Sequence, residues 1–352
     1  MRVVLAYAGS IEGSAAVRWL REHHAAEVVT VTVDLGQGRI LESVRDRALT
    51  IGAHRAHVID AREEFARNYI IPALRADALH DGGVPMGLAL SRPLIAHTLV
   101  EIAAMEKADA VAHTGHGHAD GSPLDRLIAD LAPHVNVLTP ARGWSLTADD
   151  LSSFARRFGL AGQDAASGRA ETNIWGRTVR AEAGRSIAAF EPGARGGCPA
   201  DPALLDIAIA RGVPTALNGV ALPLLELVSS LATLATTHGV PPVSGAGCTC
   251  DAPAAVLLHE AHRALRGAAT APDDLALANA TSAAYVGLVE GGRWFTPVRE
   301  GLDAFFATSQ ASLDGHVRLR LHQGTYTTVS TELSQEAARS RRLRAVPSPT
   351  QH

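Results

Sequence analysis

Apolar and polar positions along the first half of the chain alternate between a strand-like and a helix-like period. Arg2 to Tyr7 is a short apolar run ending in Ala8-Gly9-Ser10, and from Ser14 to His24 the residues Val17, Trp19 and Leu20 fall at helical spacing. Val28 to Val33 is a β-branched run stopped by Asp34-Leu35-Gly36. From Ile40 to Ile51, the positions Ile40, Leu41, Val44, Ala48, Leu49 and Ile51 describe one helical face, closed by Gly52. A strand is expected at Ala56–Ile59, helices over about 62–79 and 93–107, and a strand at Ala110–His113. This alternation predicts an α/β fold built on a doubly wound parallel sheet. Ligands of such sheets bind beyond the carboxyl ends of the strands, so Ala8–Ser14, Asp34–Gln37 and His113–Gly121 should converge on one crevice.

The second half reads differently. Thr147-Ala148-Asp149-Asp150 ahead of an apolar run has the form of a capping box. Residues 161–168 are mostly small, and the domain boundary is placed there: a first, α/β domain over 1–165 and a second, α+β domain over 166–330. The stretch Glu191–Pro202 reads as a long surface loop. Helices are expected at Pro223–Thr237 and Ala254–Leu265, and paired strands at His316–Leu321 and Thr325–Ser330 around Gln323-Gly324. Residues 331–352, with Arg339, Arg341, Arg342 and Arg344 ahead of Pro347 and Pro349, are expected to be a frayed helix or a disordered tail.

Composition narrows the function. At 352 residues the chain can bury two sizeable cores, and 47% hydrophobic against 19% charged residues is a globular balance. No apolar run approaches the roughly 18 residues of a membrane span, and the start is too quickly polar for a signal peptide. A cytoplasmic protein without a membrane partner is therefore expected. A net charge of -4 with no long basic run leaves no electrostatic case for nucleic acid and makes a small molecule the default ligand. Three cysteines, Cys198, Cys248 and Cys250, are too few for a disulfide scaffold and fit a reducing compartment. Lys107 is the only lysine, which argues against any mechanism that places a lysine on a phosphate or in a Schiff base.

Ala6-Tyr7-Ala8-Gly9-Ser10-Ile11-Glu12-Gly13-Ser14 lies between the first strand and the first helix. Small residues there let backbone N–H groups approach an anion, and the helix start adds its partial positive charge. His113, His116, His118 and Asp120 could offer metal ligands from one loop. His259-Glu260-Ala261-His262 is one residue short of the zinc-protease H-E-x-x-H, and its histidines are read as helix-surface or packing positions.

The segment 8–14 resembles the pyrophosphate loop S-G-G-x-D-x-S of the ATP-pyrophosphatases, and Val3-Val4-Leu5-Ala6-Tyr7 is similar to the preceding strand of argininosuccinate synthases. The likeness continues through Asp34-Leu35-Gly36-Gln37, Arg92-Pro93-Leu94-Ile95-Ala96, Asn173-Ile174-Trp175-Gly176-Arg177, Leu217-Asn218-Gly219, Trp294-Phe295-Thr296-Pro297 and Gly315 to Leu321. It covers about residues 2–330 in order, so the chain is identified as a divergent member of the argininosuccinate synthase family.

The resemblance implies an adenylating ligase. ATP, with magnesium, activates the ureido oxygen of citrulline, pyrophosphate leaves, and the amine of aspartate displaces AMP. Such a reaction needs anion donors, charge neutralisation and alignment more than side-chain acid–base chemistry, so no catalytic side chain is singled out. By resemblance, Ala6, Tyr7, Ala8, Gly9, Ser10, Glu12, Gly13 and Ser14 hold the phosphates, and Val33 and Asp34 lie near the adenine. Leu88, Arg92, Thr114, Gly115, Asp120 and Thr178 occupy substrate positions, and the His113–Asp120 stretch falls in a glycine-rich substrate loop rather than a metal site. Homotetramers are implied too, although the family's long C-terminal arm is shortened here to the Arg-rich tail, so a homo-oligomer is the expectation.

The departures from the family pattern are concentrated on the substrate side. Ala8, Ser10, Glu12 and Gly13 stand where the loop motif has serine, glycine, aspartate and threonine. In Y-x-x-G-[TS]-x-x-A-R-P, the tyrosine position is Val84 and the threonine or serine position is Leu88. T-G-K-G-N-D becomes Thr114-Gly115-His116-Gly117-His118-Ala119-Asp120, a family serine is Arg169, and Y-E-x-P becomes Cys250-Asp251-Ala252-Pro253. Each lost partner of a ureido group or carboxylate costs roughly 1 to 3 kcal/mol. Three functions then compete: an adenylating ligase, either argininosuccinate synthase itself or a relative with a substrate other than the citrulline/aspartate pair; a non-catalytic paralogue; and a sulfur-transferring ATP-pyrophosphatase using Cys248 or Cys250.

Overall fold

A computed structural model describes residues 1–38, 41–115, 122–144, 146–160, 170–180, 197–245 and 247–344. The chain divides into two compact units. The first comprises Met1–Arg62, Leu88–Ala170 and Val289–Thr296; the second comprises Glu63–Gly87, Glu171–Leu288 and the chain from Pro297 onward.

The first unit contains β1 (Arg2–Ala6), α1 (Ile11–His24), β2 (Glu27–Asp34), α2 (Leu41–Ile51), β3 (Arg55–Asp60), α3 (Gly87–Met105), β4 (Ala110–Ala112), α4 (Pro123–Leu131), β5 (Asn136–Leu138) and α5 (Ala148–Arg157). Its five strands are all parallel, in the order β3-β2-β1-β4-β5. Val3, Val4 and Leu5 on β1 and Val28 and Val29 on β2 are fully buried, so both faces of the sheet are covered, as near-continuous apolar strands require. Val3, Leu5, Tyr7 and Val28 share one core with Val17 and Leu20 of α1, Val44 and Ala48 of α2, and Ala155 of α5. The doubly wound α/β reading is borne out. The capping box expected at Thr147 is present, with Asp150 N donating to Thr147 Oγ1 at 3.2 Å and Thr147 N to Asp150 Oδ2 at 2.8 Å.

Two expectations need correction. The helix expected over 62–79 is broken: Arg62–Phe65 and Ile71–Arg75 are α-helical, and Ala66–Ile70 between them is a π turn. Pro72 has no N–H to continue an α ladder, and the wider turn, with Ile71 N bonded to Ala66 O, absorbs that loss. The expectation that no run approaches a membrane span also fails by length and composition. Helix α3 has 19 residues and is apolar enough to cross a bilayer, yet 61% of that window is buried inside the fold, and it carries Arg92, Pro93 and Glu101. That is the pattern of a core helix.

The second unit holds β6 (Ala170–Asn173), β7 (Gly176–Arg180), β8 (Ala203–Ala210), β9 (Val213–Leu217), β10 (Val220–Ala221), α6 (Leu224–Thr237), β11 (Val243–Gly245), β12 (Cys248–Asp251), α7 (Pro253–Ala269), α8 (Pro272–Glu290), α9 (Pro297–Ser309), β13 (Gly315–His322), β14 (Thr325–Leu333) and α10 (Gln335–Arg344). One sheet runs β10-β9-β8-β13-β14 and another β11-β12-β7-β6. Helix α7 is the core element, with Ala255, Leu257, Ala261 and Leu265 fully buried.

Buried beside them is a polar network. Asp77 accepts from His259 Nδ1 at 2.9 Å and from Arg263 Nε at 2.8 Å. His262 Nε2 lies 2.9 Å from Gln310 Oε1, and Gln310 Nε2 donates to the Arg75 carbonyl at 2.7 Å. Because the amide nitrogen of Gln310 is already a donor, its oxygen must accept, so His262 carries its proton on Nε2. Both histidines are therefore core groups, as the short H-E-x-H spacing suggested.

Burial pushes the pKa of His262 from 6.5 down to about 4, against the opposing hydrogen bond to Gln310, and burial lowers that of His259 in the same direction. A histidine kept neutral in the fold contributes stability that is full above its unfolded value near 6.5 and is lost as pH falls through about 4. For His262 the loss is on the order of 3 kcal/mol. Thermal unfolding followed from pH 7 to pH 4 should show the midpoint falling across this window. His262→Gln, which can still donate to Gln310, should flatten that slope by about half; an unchanged slope would remove His262 as its source.

Candidate functional site

Strand order reverses between β1 and β4: from β1 the chain goes first to β2 on one side, and it returns on the other side at β4. Parallel sheets of this kind bind ligands at that reversal, beyond the carboxyl ends of the strands. Leu5 of β1 is level with Ala112 of β4, so the turns starting at Tyr7 and His113 leave the sheet side by side. Ala6 is level with Val31, and β2 runs on to Asp34, roughly 10 Å beyond the end of β1. The three loops expected to share one crevice thus leave the same edge of one sheet, with Val33 and Asp34 standing above the first.

The turn after β1 is held from every side. Tyr7 N donates to Val31 O at 2.8 Å, and Thr32 Oγ1 donates to Tyr7 O at 2.9 Å. Gly9 has φ +77°, and a Cβ there would stand 3.1 Å and 3.2 Å from the two methyl groups of Val44, so both conformation and space call for glycine. Arg47 Nη1 donates to the Gly9 carbonyl. Carbonyl and N–H point in opposite directions across a trans peptide, so this bond turns the Ser10 N–H away from Arg47. Ser10 caps α1, its Oγ accepting from Gly13 N at 3.0 Å. The loop motif has glycine at this position, and Ser10 uses its hydroxyl internally.

Ser14 is fully buried, and its hydroxyl lies 2.9 Å from the hydroxyl of Tyr7. Ala8 is exposed, and Glu12 is half-buried in the first turn of α1. A carboxylate there favours the helix dipole and competes with any anion for the same helix start. Asp34 closes its own turn: Oδ1 accepts from Gly36 N at 2.8 Å, and Oδ2 lies 3.5 Å from Arg62 Nε.

The residues read as substrate positions are distributed over both units. Leu88 and Arg92 are half-buried on the first turns of α3, where Ser91 Oγ donates to the Leu88 carbonyl at 2.8 Å. Thr114 is half-buried and Gly115 exposed beyond β4. Asp120, His116 and His118 lie outside the described residues, as do Arg169 and the small-residue stretch 161–168. Among the described residues no group of three or more His, Cys, Asp or Glu side chains is placed to hold a metal ion. Thr178 belongs to the second unit: it is buried on β7, its Oγ1 3.4 Å from Cys250 Sγ on β12.

That contact bears on thiol chemistry. Cys250 is 1% exposed, and burial pushes its thiol up to about 11, only partly offset by Thr178, so it stays protonated near neutral pH. Cys248 donates to the Gly245 carbonyl at 3.3 Å. A nucleophilic cysteine needs the opposite surroundings. Sequence reading did not single out Arg47, Ser122, Asp125 or Arg142. Of these, Ser122-Pro123-Leu124-Asp125 was legible as a helix start, with serine at the cap, proline after it and an acidic residue three further on.

A parallel α/β sheet with a glycine turn and a helix start at its point of reversal is the architecture of nucleotide-binding α/β domains. The chain belongs to the argininosuccinate synthase family: residues 2–161 match its N-terminal domain, described as Arginosuccinate synthase N-terminal HUP domain, and residues 194–343 match the Arginosuccinate synthase C-terminal domain. Among curated relatives, argininosuccinate synthase of Dehalococcoides mccartyi is 34% identical over 349 residues, covering 93% of this chain and 86% of the relative. The enzyme of Rubrobacter xylanophilus is 37% identical over 346 residues, covering 93% and 84%. That of Gloeobacter violaceus is 37% identical over 354 residues, covering 93% and 87%. The resemblance read from the motifs is thereby confirmed.

The thiol assignment can be checked directly. Alkylation of the folded protein near neutral pH, mapped by mass spectrometry, should leave Cys250 unmodified until denaturant is added. Rapid native labelling of Cys250 would contradict its burial and its raised pKa.

Proposed function

We propose that this chain is an ATP-dependent ligase: it adenylates a ureido or carbonyl oxygen, releases pyrophosphate and lets an amine displace AMP. The observation that supports this reading best is the turn from β1 to α1 at the reversal of the sheet. Gly9 bends the chain, Arg47 holds the Gly9 carbonyl, and α1, 14 residues long, presents its start. Backbone amides at a helix start bind phosphate without a lysine, which suits a chain whose one lysine, Lys107, lies elsewhere. Ala6, Tyr7, Ala8, Gly9, Ser10, Glu12, Gly13 and Ser14 would form or brace the phosphate cradle, with Val33 and Asp34 near the adenine. Magnesium, when bound, would neutralise charge developing on the leaving pyrophosphate, and Glu12 is the acidic side chain of the cradle.

The substrates in this reading are amino-acid-like but differ from the citrulline/aspartate pair. Val84 is fully buried where the family motif has tyrosine, and Leu88 replaces a hydroxyl residue. The Thr178 hydroxyl is engaged with Cys250. A pocket for a ureido group and two carboxylates that lacks these partners would lose discrimination by roughly 1 to 3 kcal/mol for each. The assembly we propose is a homo-oligomer of this chain.

Calorimetry with ATP and magnesium, combined with pyrophosphate release against citrulline, aspartate and a panel of amino acids, tests the proposal. Wild type should bind ATP, and Gly9→Val should abolish binding by colliding with Val44 and straining a positive φ. Glu12→Asp, which shortens the competing carboxylate, should bind as well as wild type or better. Absence of heat in both wild type and Glu12→Asp would replace the ligase by a non-catalytic paralogue.

A further inference from the structure

Asp125, on the first turn of α4, sits between two segments that the chain separates. Its Oδ1 is 2.6 Å from His113 Nε2, at the end of β4. Its Oδ2 accepts from Ser122 N at 2.7 Å, where α4 begins, and from Arg142 Nη2 at 2.7 Å, on the short helix Pro140–Gly143 that follows β5. The direction of the His113 bond follows from the other ring nitrogen. Gly115 N donates to His113 Nδ1 at 3.1 Å, so Nδ1 presents its lone pair and the proton resides on Nε2, donating to the carboxylate.

His113 is 2% exposed, and a Cβ on Gly115 would stand 3.0 Å from Nδ1, so glycine is what allows the ring so close. Burial of Asp125 works against its charge, but the bonds from His113, the Ser122 amide and Arg142 outweigh it and hold the carboxyl well below the usual carboxylate range. The carboxylate is thus ionised near neutral pH, and its bonds there are charge-assisted.

We infer that Asp125 is a positioning residue for substrate: through His113 it sets Thr114 and the Gly115 amide at the carboxyl end of β4, next to the turn that follows β1. This rests on the ligase reading. Capping of α4 alone would explain the Ser122 bonds; it does not explain why the same carboxylate fixes the tautomer of a buried histidine 12 residues upstream and holds Arg142. Because the β1 turn makes none of these bonds, the device should act on the amino-acid substrate and leave ATP alone.

Three variants of the full chain separate the roles: Asp125→Asn, Asp125→Glu and Ser122→Ala. Imidazole ¹⁵N NMR of wild type should show His113 as the Nε2–H tautomer with a slowly exchanging ring proton; Asp125→Asn, which keeps an acceptor oxygen but loses its charge, should speed that exchange, and Ser122→Ala should leave it unchanged. In pyrophosphate release, Asp125→Asn should raise KM for the amino-acid substrate about tenfold or more, the scale of one charge-assisted hydrogen bond, with KM for ATP moving less than about twofold. Asp125→Glu should recover part of that loss, and Ser122→Ala should lower the melting temperature without altering the ratio of the two KM values. The proposal is overturned if Asp125→Asn changes stability alone, or if both KM values rise together. If wild type shows the NMR signature but no turnover with any amino acid, the ligase reading fails and takes the substrate role with it. If turnover is normal but the signature is absent, the inference about Asp125 fails by itself.

Discussion

Everything the first unit can do at its open edge depends on β1 being fully enclosed. Strands pair with it on both sides and apolar residues cover it on both faces, so the chain has no freedom until Tyr7, and there it must turn at once into α1. A strand released in any other position would bring a helix start to the rim of the sheet; only the strand at the reversal brings it to a crevice flanked by a second loop. The positive φ of Gly9, the grip of Arg47 on its carbonyl and the cap by Ser10 are the local consequences of fitting so sharp a turn into so small a space.

The two units handle buried polarity in opposite ways. In the second, Asp77 pairs with His259 and Gln310 with His262 inside the core, while His259 Nε2 and His262 Nδ1 have no hydrogen-bond partner among the described residues, and burial keeps His262 neutral down to mildly acidic pH. Both histidines are buried, and among the described residues no cluster of metal-ligating side chains surrounds them, so the near-match to a zinc motif is packing here. In the first unit, the polar groups of Asp125, His113 and Arg142 gather at the carboxyl end of the sheet and bond to one another there.

This chain departs from the family pattern both in the turn after β1 and at the start of α3. In the turn after β1, Ala8 adds no side-chain hydrogen bond and the Ser10 hydroxyl takes the Gly13 N–H as a helix cap. At Val84 and Leu88, where the family motif carries hydroxyl residues, this chain has apolar side chains.

The alternation of apolar runs determined the parallel sheet, the placing of the Ala8–Ser14 turn and, with the motifs, the family, because these are local periodicities and contiguous residues that need no knowledge of the fold. The paired strands about Gln323-Gly324 and the cap at Thr147 were legible for the same reason. The tertiary structure alone decided what each polar side chain does. Ser14 faces Tyr7 inside the core, Ser10 caps a helix, Cys250 is shielded beside Thr178, and Asp125 reaches His113 across 12 residues of chain. Hydrogen bonds between residues far apart in sequence leave no period to read; they exist only once packing has brought donor and acceptor to within about 3 Å and excluded the water that would otherwise compete.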